Sequence, residues 1–262
     1  MLDTDGTSTL PIGIIDSGAG GLSALAYAVE VLPHESFLYY ADCANAPYGD
    51  KTTDEIIRLT LNAAAILVAH GIKALLIACN TATSAAVATL RESYTMPIIG
   101  MEPALKPACL AYPSGTVAVM ATNATLKLDK FSDLVSRYAN QCRLELIPCP
   151  GLMELIEKTL PFDLELMTYL RQRLCADPPP DAVVIGCTHY SLIHQEIRSV
   201  WNDVHIFDGT HATIQHLQHV LENERLLSDK ELQKIDIHTS GGEEHIMMLR
   251  SFIKRLSIQL ND

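Results

Sequence analysis

The stretch LLIACNTATSAA, residues 75–86, joins an apolar run to a polar one at a single cysteine. The apolar run ends at Ala78 and is followed by Cys79, Asn80 and Thr81, and then by small residues. A short continuous apolar run is typical of a strand buried on both faces, and short polar side chains are typical of the position that caps a helix. The stretch therefore predicts a strand that runs directly into a helix, with a thiol at the junction.

Similar apolar runs recur along the chain, separated by segments with helical periodicity. They span residues 12–15, 37–41, 74–78, 117–121, 144–147, 182–185 and 205–207. Most of them are continuous rather than alternating, as expected for parallel strands that helices cover on both faces. We therefore predict an α/β protein with mainly parallel central sheets.

Two of the intervening segments carry clear helix signals. Thr52 and Glu55 have the spacing of a capping box, and Gly71 closes the periodic segment that follows them. Near the end of the chain, Ile246 and Leu249 begin one more amphipathic pattern.

The composition excludes several classes of protein. The chain has 262 residues, 48% of them hydrophobic, which is enough for one large domain or two small ones. Its net charge of −12, without a basic cluster, argues against a nucleic-acid partner. No apolar stretch approaches the roughly 20 residues of a membrane-spanning helix, and the chain start lacks the features of a signal peptide. We therefore expect a cytoplasmic protein that binds neither nucleic acid nor a membrane.

The seven cysteines form an odd set without CxxC spacing, which fits neither a disulfide framework nor a zinc site. One of them repeats the opening pattern: VVIGCTHYSLIH, residues 183–194, is again an apolar run, a small residue, a cysteine and short polar side chains. The upstream spacing also matches, because Ser17 precedes Cys79 by 62 residues and Thr125 precedes Cys187 by 62. The sequence thus suggests two related α/β halves, each with a thiol at a strand end.

Two thiols in these positions predict a specific chemistry. Side chains at the carboxyl ends of parallel strands face the crevice in which α/β proteins bind ligands, so Cys79 and Cys187 are expected to face one another. Acid/base groups on opposite faces of one carbon atom invert its configuration, since a thiolate removes a proton and the opposite thiol delivers another. Helix amides or a neighbouring cation lower a cysteine pKa from its usual value of about 8.5. The alternative is that both cysteines are small core residues.

The stretch DSGAGGLS, residues 16–23, has the glycines of a dinucleotide-binding turn. Ser23 stands at the third glycine position, and Asp16 would place a carboxylate against the pyrophosphate, so we disfavour a nucleotide site. Asp16 would instead orient a substrate ammonium group, tune Cys79 or cap a helix.

His189 follows the second cysteine by two residues. It would stabilise the Cys187 thiolate or shuttle a proton. As an isolated histidine it would be a surface or capping residue, and a zinc site at this position lacks four ligands with familiar spacing.

The chain resembles the glutamate racemases over most of its length. The resemblance is carried by segments that occur in the family's order: IGIIDSGAGGLSAL, YYADCANAPYGDKT, LLIACNTATSAA, PIIGMEPALKPA, VAVMATNATLK and VVIGCTHYSLI. It implies the interconversion of L- and D-glutamate without a cofactor or metal, to supply D-glutamate for bacterial peptidoglycan. It also implies that Cys79 deprotonates D-glutamate with help from Asp16, and that Cys187 deprotonates L-glutamate with help from His189.

Further positions carry over from the resemblance. Glu157 resembles an additional catalytic acid of the family, with Glu154 as a nearby competitor. The implied substrate-binding residues are Asp16, Ser17, Pro47, Tyr48, Gly49, Cys79, Asn80, Thr81, Thr122, Thr125, Cys187, Thr188 and His189.

The family's second domain is inserted into its first. Here this implies a first α/β domain made of residues 1–98 and 211–262 and a second of residues 99–210, with the active site between them. The segment HTSGGEE near residue 240 resembles the last strand and turn of the first domain. The resemblance also implies a homodimer, whose geometry the sequence leaves open. Ala124, Ser191 and the DGT at 208–210 depart from the family's pattern without removing a catalytic group.

Alternative functions remain at this point. Aspartate and hydantoin racemases use a similar two-cysteine chemistry, and a binding protein with the same fold would lack activity or have a secondary partner. No lysine or arginine lies within the strand-end motifs. We therefore expect the amides of residues 80–81 and 188–189, with threonine hydroxyls, to hold the carboxylates of glutamate.

Overall fold

The computed structural model describes residues 6–159, 164–202, 204–229 and 233–260. Its strands are, in chain order, β1 (Ile12–Asp16), β2 (Phe37–Ala41), β3 (Ala74–Ile77), β4 (Ile98–Gly100), β5 (Thr116–Ala121), β6 (Arg143–Pro148), β7 (Ala182–Gly186), β8 (His205–Asp208) and β9 (Ile235–Thr239). They form two sheets: a five-stranded first sheet of order β4-β3-β1-β2-β9 and a four-stranded second sheet of order β6-β5-β7-β8. Every pairing is parallel. The predicted α/β class is therefore confirmed.

The helices connect and cover these strands. They are α1 (Leu22–Val31), α2 (Thr53–Ala69), α3 (Asn80–Ser93), α4 (Leu105–Ala111), α5 (Asn123–Lys127), α6 (Asp129–Tyr138), α7 (Leu152–Thr159), α8 (Leu164–Arg173), α9 (His194–Val200), α10 (Thr210–Asn223) and α11 (Glu243–Arg255). Because helices cover both faces, β1, β3 and β7 are buried along their whole length. Within the described ranges, no helix is both long and apolar enough to cross a membrane.

The predicted ends of α2 are confirmed. The Thr52 hydroxyl accepts a hydrogen bond from the Glu55 N–H at 3.3 Å, which satisfies one of the free amides of the first turn. Gly71 follows the helix end with a φ of 77°, a conformation that glycine adopts without steric cost.

Two strands were not among those predicted from apolar runs. β4 has only three residues, and β9 (IDIHT) alternates apolar and polar residues at the edge of the first sheet. Such short or edge strands bury too little side chain to give a continuous apolar run. The expectation that the HTSGGEE region returns to the first sheet is confirmed, because β9 pairs with β2.

The second cysteine stretch differs from its prediction. A helix was expected directly after Cys187, but residues Thr188–Ile193 form a 3-10 helix and α9 begins only at His194. The residues after Cys79 are mainly alanine and threonine, whereas His189 and Tyr190 are bulky and fully or almost fully buried. Their side chains point inward for burial, and aromatic residues favour the α-helix less than alanine does.

Candidate active site

A cleft lies where the carboxyl ends of the two sheets face each other. Cys79 follows β3 of the first sheet, and Cys187 follows β7 of the second, and both thiol residues line the cleft. It brings together these predicted residues: Ser17, Pro47, Tyr48, Gly49, Cys79, Asn80, Thr81, Thr122, Cys187 and Thr188.

Four predicted residues lie behind the cleft wall rather than in it. Asp16, Thr125 and His189 are almost completely buried, and Glu157 is largely buried beside His189. Each of the four makes a hydrogen bond to another site residue. They therefore act on the cleft through the residues that line it.

The sequence analysis missed one wall of the cleft. The segment after β6 contributes Cys149, Pro150, Gly151, Met153 and Glu154. The available signal was its position, because it follows a strand of the second sheet at the same edge as Cys187. The strand itself was predicted from the apolar run at 144–147, but of these five residues only Glu154 was considered, as a competitor of Glu157.

Cys79 caps helix α3. Its Sγ accepts a hydrogen bond from the Ala82 N–H at 3.5 Å and lies 3.6 Å from the Ser17 hydroxyl. Burial, reinforced by the negative charge of Asp16, raises the pKa of Cys79 to about 12 in spite of these hydrogen bonds. Near neutral pH, Cys79 is thus a protonated thiol.

Asp16 ends β1 and is completely buried. Its Oδ1 accepts from the Gly18 N–H at 2.8 Å, and its Oδ2 accepts from the Thr188 hydroxyl at 3.0 Å. Burial raises the pKa of Asp16 above its usual value, although His189 and the two hydrogen bonds oppose this shift. The carboxyl group is positioned from both sides of the cleft.

Cys187 has a different neighbourhood. The Nδ1 atom of His189 lies 3.9 Å from its Sγ, and Nε2 of the same ring lies 2.8 Å from Oε1 of Glu157. Burial alone would lower the pKa of His189, but its hydrogen bonds to Cys187 and Glu157 outweigh burial and raise this pKa well above the usual value. Burial alone would raise the pKa of Glu157, but the contact with His189 lowers it. The pair is therefore an imidazolium and a carboxylate, with the imidazolium next to the thiol.

The structure gives Glu157 and Glu154 different surroundings. Glu157 pairs with His189, whereas Glu154 lines the open cleft after β6. The two residues stand three apart in α7, so they lie on neighbouring but distinct parts of the helix surface.

The glycines of DSGAGGLS have a structural reason. A Cβ atom at Gly18 would lie 2.5 Å from Oε1 of Glu157, and one at Gly20 would lie 2.6 Å from the backbone nitrogen of His189. These glycines allow the loop after β1 to pack directly against the His189–Glu157 pair. The loop after β1 thus joins the two halves of the molecule. Because it packs against Glu157 and His189, it leaves no room beside these glycines for the pyrophosphate of a dinucleotide.

Three threonine hydroxyls meet between the same two halves. Thr81, at the start of α3, lies 3.1 Å from the Thr122 hydroxyl and 2.9 Å from that of Thr125. The Thr122 hydroxyl also caps α5 by accepting from the Thr125 N–H at 3.2 Å. Thr81 and Thr122 reach the cleft, where their hydroxyls and the free amides of α3 form a polar end.

The lip beside Thr122 carries Tyr48 and Gly49, and a Cβ atom at Gly49 would lie 2.9 Å from Cβ of Thr122. The Tyr48 hydroxyl donates to Oδ2 of Asp42 at 2.6 Å, and Asp42 also accepts from Asn45 and from Ser240, which follows β9. This network fixes the PYG loop against the first sheet.

The cleft lining contains no lysine or arginine among the described residues. Asn80 is buried, and its Oδ1 has no hydrogen-bond partner within the part of the chain that the structure describes. Among the described residues, the lining therefore offers amides and hydroxyls rather than basic side chains.

Residues 17–217 match the protein family described as Asp/Glu/Hydantoin racemase. The chain is 47% identical to a glutamate racemase of Clostridium novyi over 251 residues, which cover 93% of this chain and 97% of the relative. It is 44% identical to a glutamate racemase of Clostridium acetobutylicum, with coverage of 91% and 95%.

Solved structures agree with these relatives. A glutamate racemase of Escherichia coli, in complex with L-glutamate and the activator UDP-MurNAc-ala, is 30% identical with a TM-score of 0.83 and coverage of 94% and 95%. A glutamate racemase isoform of Bacillus anthracis is 26% identical with a TM-score of 0.85 and coverage of 97% and 96%.

Proposed function

The chain belongs to the Asp/Glu/hydantoin racemase family, and we propose that it interconverts L- and D-glutamate with Cys79 and Cys187 as its two bases. It is an enzyme of the glutamate racemase type, as its relatives at 42–47% identity are. The observation that carries the proposed mechanism is the placement of two thiols, from equivalent strand ends of two sheets, on one cleft.

Conversion of L- to D-glutamate begins at Cys187. Its thiolate, next to the His189 imidazolium, takes the α-proton, so that the C–H bond breaks and its electron pair stays on the α-carbon. Cys79 then delivers its own proton to the opposite face, and the electron pair of its S–H bond remains on sulfur. The raised pKa of Cys79, about 12, keeps this thiol protonated until that step.

The reverse reaction needs the Cys79 thiolate. Burial and Asp16 disfavour this thiolate, so a substrate cation is needed to offset them. In our proposal the substrate ammonium group supplies that charge from within the cleft, and the buried Asp16 carboxyl group balances it from behind the cleft wall.

The carboxylates of glutamate bind without a basic side chain in this mechanism. The free amides at the start of α3 and in the 3-10 helix after Cys187 are donors that suit an anion. The hydroxyls of Ser17, Thr81 and Thr122 and the lip formed by Pro47, Tyr48 and Gly49 complete the proposed binding set.

The broader biological setting is part of the proposal. We propose a cytoplasmic homodimer that needs no cofactor and supplies D-glutamate for peptidoglycan synthesis. Its domains would be residues 1–98 with 211–262, and residues 99–210. The membership of β9 in the first sheet supports this division, and β4 shows that the first sheet extends to Gly100.

The test is exchange of the α-proton of glutamate with deuterium oxide, measured from each enantiomer by NMR. We expect Cys79→Ser and Cys187→Ser each to lower racemisation by about 1000-fold, since serine is a far weaker base than a thiolate. Cys175→Ser, which changes an exposed cysteine, is the matched control. Full racemisation in both directions by either active-site variant would refute the two-base mechanism, and wild-type turnover of aspartate in place of glutamate would refute the substrate.

A further inference from the structure

Each acid behind the thiols is hydrogen-bonded by the opposite half of the molecule. Asp16 ends β1 of the first sheet and accepts from the hydroxyl of Thr188, which follows β7 of the second sheet. Glu157 lies in α7, after β6 of the second sheet, and accepts from the Ala19 N–H of the loop after β1 at 3.1 Å. The two contacts therefore join the two halves behind the cleft, and each half supplies one donor to the acid of the other half.

The hydrogen bond from Thr188 to Asp16 lies in the protein interior. Thr188 is 2% exposed and Asp16 is completely buried, so water does not compete for this hydrogen bond. The other carboxyl oxygen of Asp16 is occupied by the Gly18 N–H. A buried carboxylate depends on such donors, and removing one of two leaves it undersatisfied.

We infer that Thr188 is a positioning residue whose hydroxyl holds Asp16 in place for Cys79, so that the helper of the first thiol is completed by the half that carries the second. This inference rests on the proposed racemisation. The Ala19 amide acts in the same way on Glu157, in the opposite direction. Each acid therefore lies in the same half as the thiol it serves, and one of its hydrogen-bond donors comes from the other half.

The hydroxyl and the backbone N–H of Thr188 have different roles in this proposal. Its hydroxyl is committed to Asp16, so its contact with glutamate is made by the backbone N–H. A valine at this position would keep the shape and the amide but lose the hydroxyl, while a serine would keep the hydroxyl.

The experiment compares Thr188→Val, Thr188→Ser and Thr60→Val in steady-state racemisation and thermal unfolding. Thr60 is the matched control because it is also completely buried, and its hydroxyl donates to the Ile56 carbonyl inside α2 at 2.7 Å. We expect Thr188→Val to lower kcat by about tenfold, the loss typical of one hydrogen bond to a charged group. Thr188→Ser, which keeps the hydroxyl, should recover most of the activity lost in Thr188→Val, and Thr60→Val should stay within about twofold of wild type, which is a small free-energy change.

The pH dependence of kcat/KM distinguishes a positioning role of Thr188 toward Asp16 from a purely structural role. The Thr188 hydrogen bond lowers the pKa of Asp16 against the effect of burial, so its loss raises that pKa further. If Asp16 works as a carboxylate, the acidic limb of kcat/KM moves to higher pH in Thr188→Val and stays in place in Thr60→Val. A change of KM alone, an unchanged profile, or equal damage by Thr188→Ser overturns the inference.

A measurement without turnover keeps the two proposals distinct. The Asp16 carboxyl group can be titrated by carbon-13 NMR in the wild type and in Thr188→Val. A higher pKa in the variant supports the contact even if the wild type fails to racemise glutamate, which would refute only the proposed function. An unchanged Asp16 titration in an active enzyme refutes only the role of Thr188.

Discussion

The two cysteine sites start from similar sequence patterns and end in opposite electrostatic environments. Cys79 caps a regular helix and has the buried acid Asp16 behind it, and its pKa is raised to about 12. Cys187 caps no helix and has the ring of His189 at 3.9 Å, backed by Glu157. Repetition of a motif in a sequence therefore does not imply that its copies have the same charged neighbours.

The difference matches what an inversion reaction needs at any instant. One thiol must be a base while the other is an acid, so two identical environments would favour two thiols or two thiolates. In the proposed mechanism, the His189 imidazolium beside Cys187 and the Asp16 carboxyl group near Cys79 give the two thiols different surroundings, and the substrate ammonium group brings a further positive charge.

Among changes that keep both thiols, the largest effect is expected at His189. Replacement by asparagine removes the cation beside Cys187 and leaves Glu157 with only the Ala19 N–H as a donor among the described residues, so we expect kcat to fall about 100- to 1000-fold, as for loss of a positioned acid/base group. Stopped-flow alkylation of Cys187 by iodoacetamide should slow in parallel. Rapid alkylation with wild-type turnover would show that the two sites do not differ in the way described.

The second effect concerns the loop after β1, which joins the two halves of the molecule. Gly20→Ala would place a Cβ 2.5 Å from Nδ1 of His189 and 2.6 Å from its backbone nitrogen, so the two sheets must separate slightly. We expect kcat/KM to fall about 100-fold, because displacements of about 1 Å in an active site have that effect. Gly242→Ala, where the added Cβ has no atom within 4 Å, is the control and should behave as wild type. Equal activity of the two variants would contradict the packing argument.

A smaller effect separates the two glutamates of α7. Glu157→Gln should lower kcat about tenfold, since one charge-assisted hydrogen bond to His189 is lost. Glu157 helps to raise the pKa of His189. The stabilisation from the imidazolium–carboxylate pair is lost as the pH rises through this raised pKa, because His189 then loses its charge. In the variant that pKa falls, so the alkaline limb of the rate profile moves to lower pH.

Glu154→Gln is the internal comparison, because Glu154 lines the cleft but does not contact His189. It should leave the alkaline limb unchanged. If Glu154→Gln moved this limb and Glu157→Gln did not, the assignment of the two residues would have to be exchanged.

Much of the fold followed from local sequence. Strands buried on both faces, such as β1 and β7, appear as continuous apolar runs, and the capping box at Thr52 marks the start of α2. β4 was missed as an apolar run because it has only three residues, and β9 because it alternates apolar and polar residues at a sheet edge; β9 was expected only from the family resemblance. β6 was predicted, but of the cleft residues that follow it only Glu154 was considered.

The sequence by itself determined the α/β class, the two thiols at strand ends and the list of residues around them. Only the tertiary structure placed Glu157 on His189 and Thr188 on Asp16, because these residues are 32 and 172 positions apart in the chain. Local patterns record burial and helix or strand preference, which depend on neighbours in the chain. Protonation depends on charges and donors within a few ångströms, and here two of those donors, the Thr188 hydroxyl and the Ala19 N–H, come from the opposite half of the molecule.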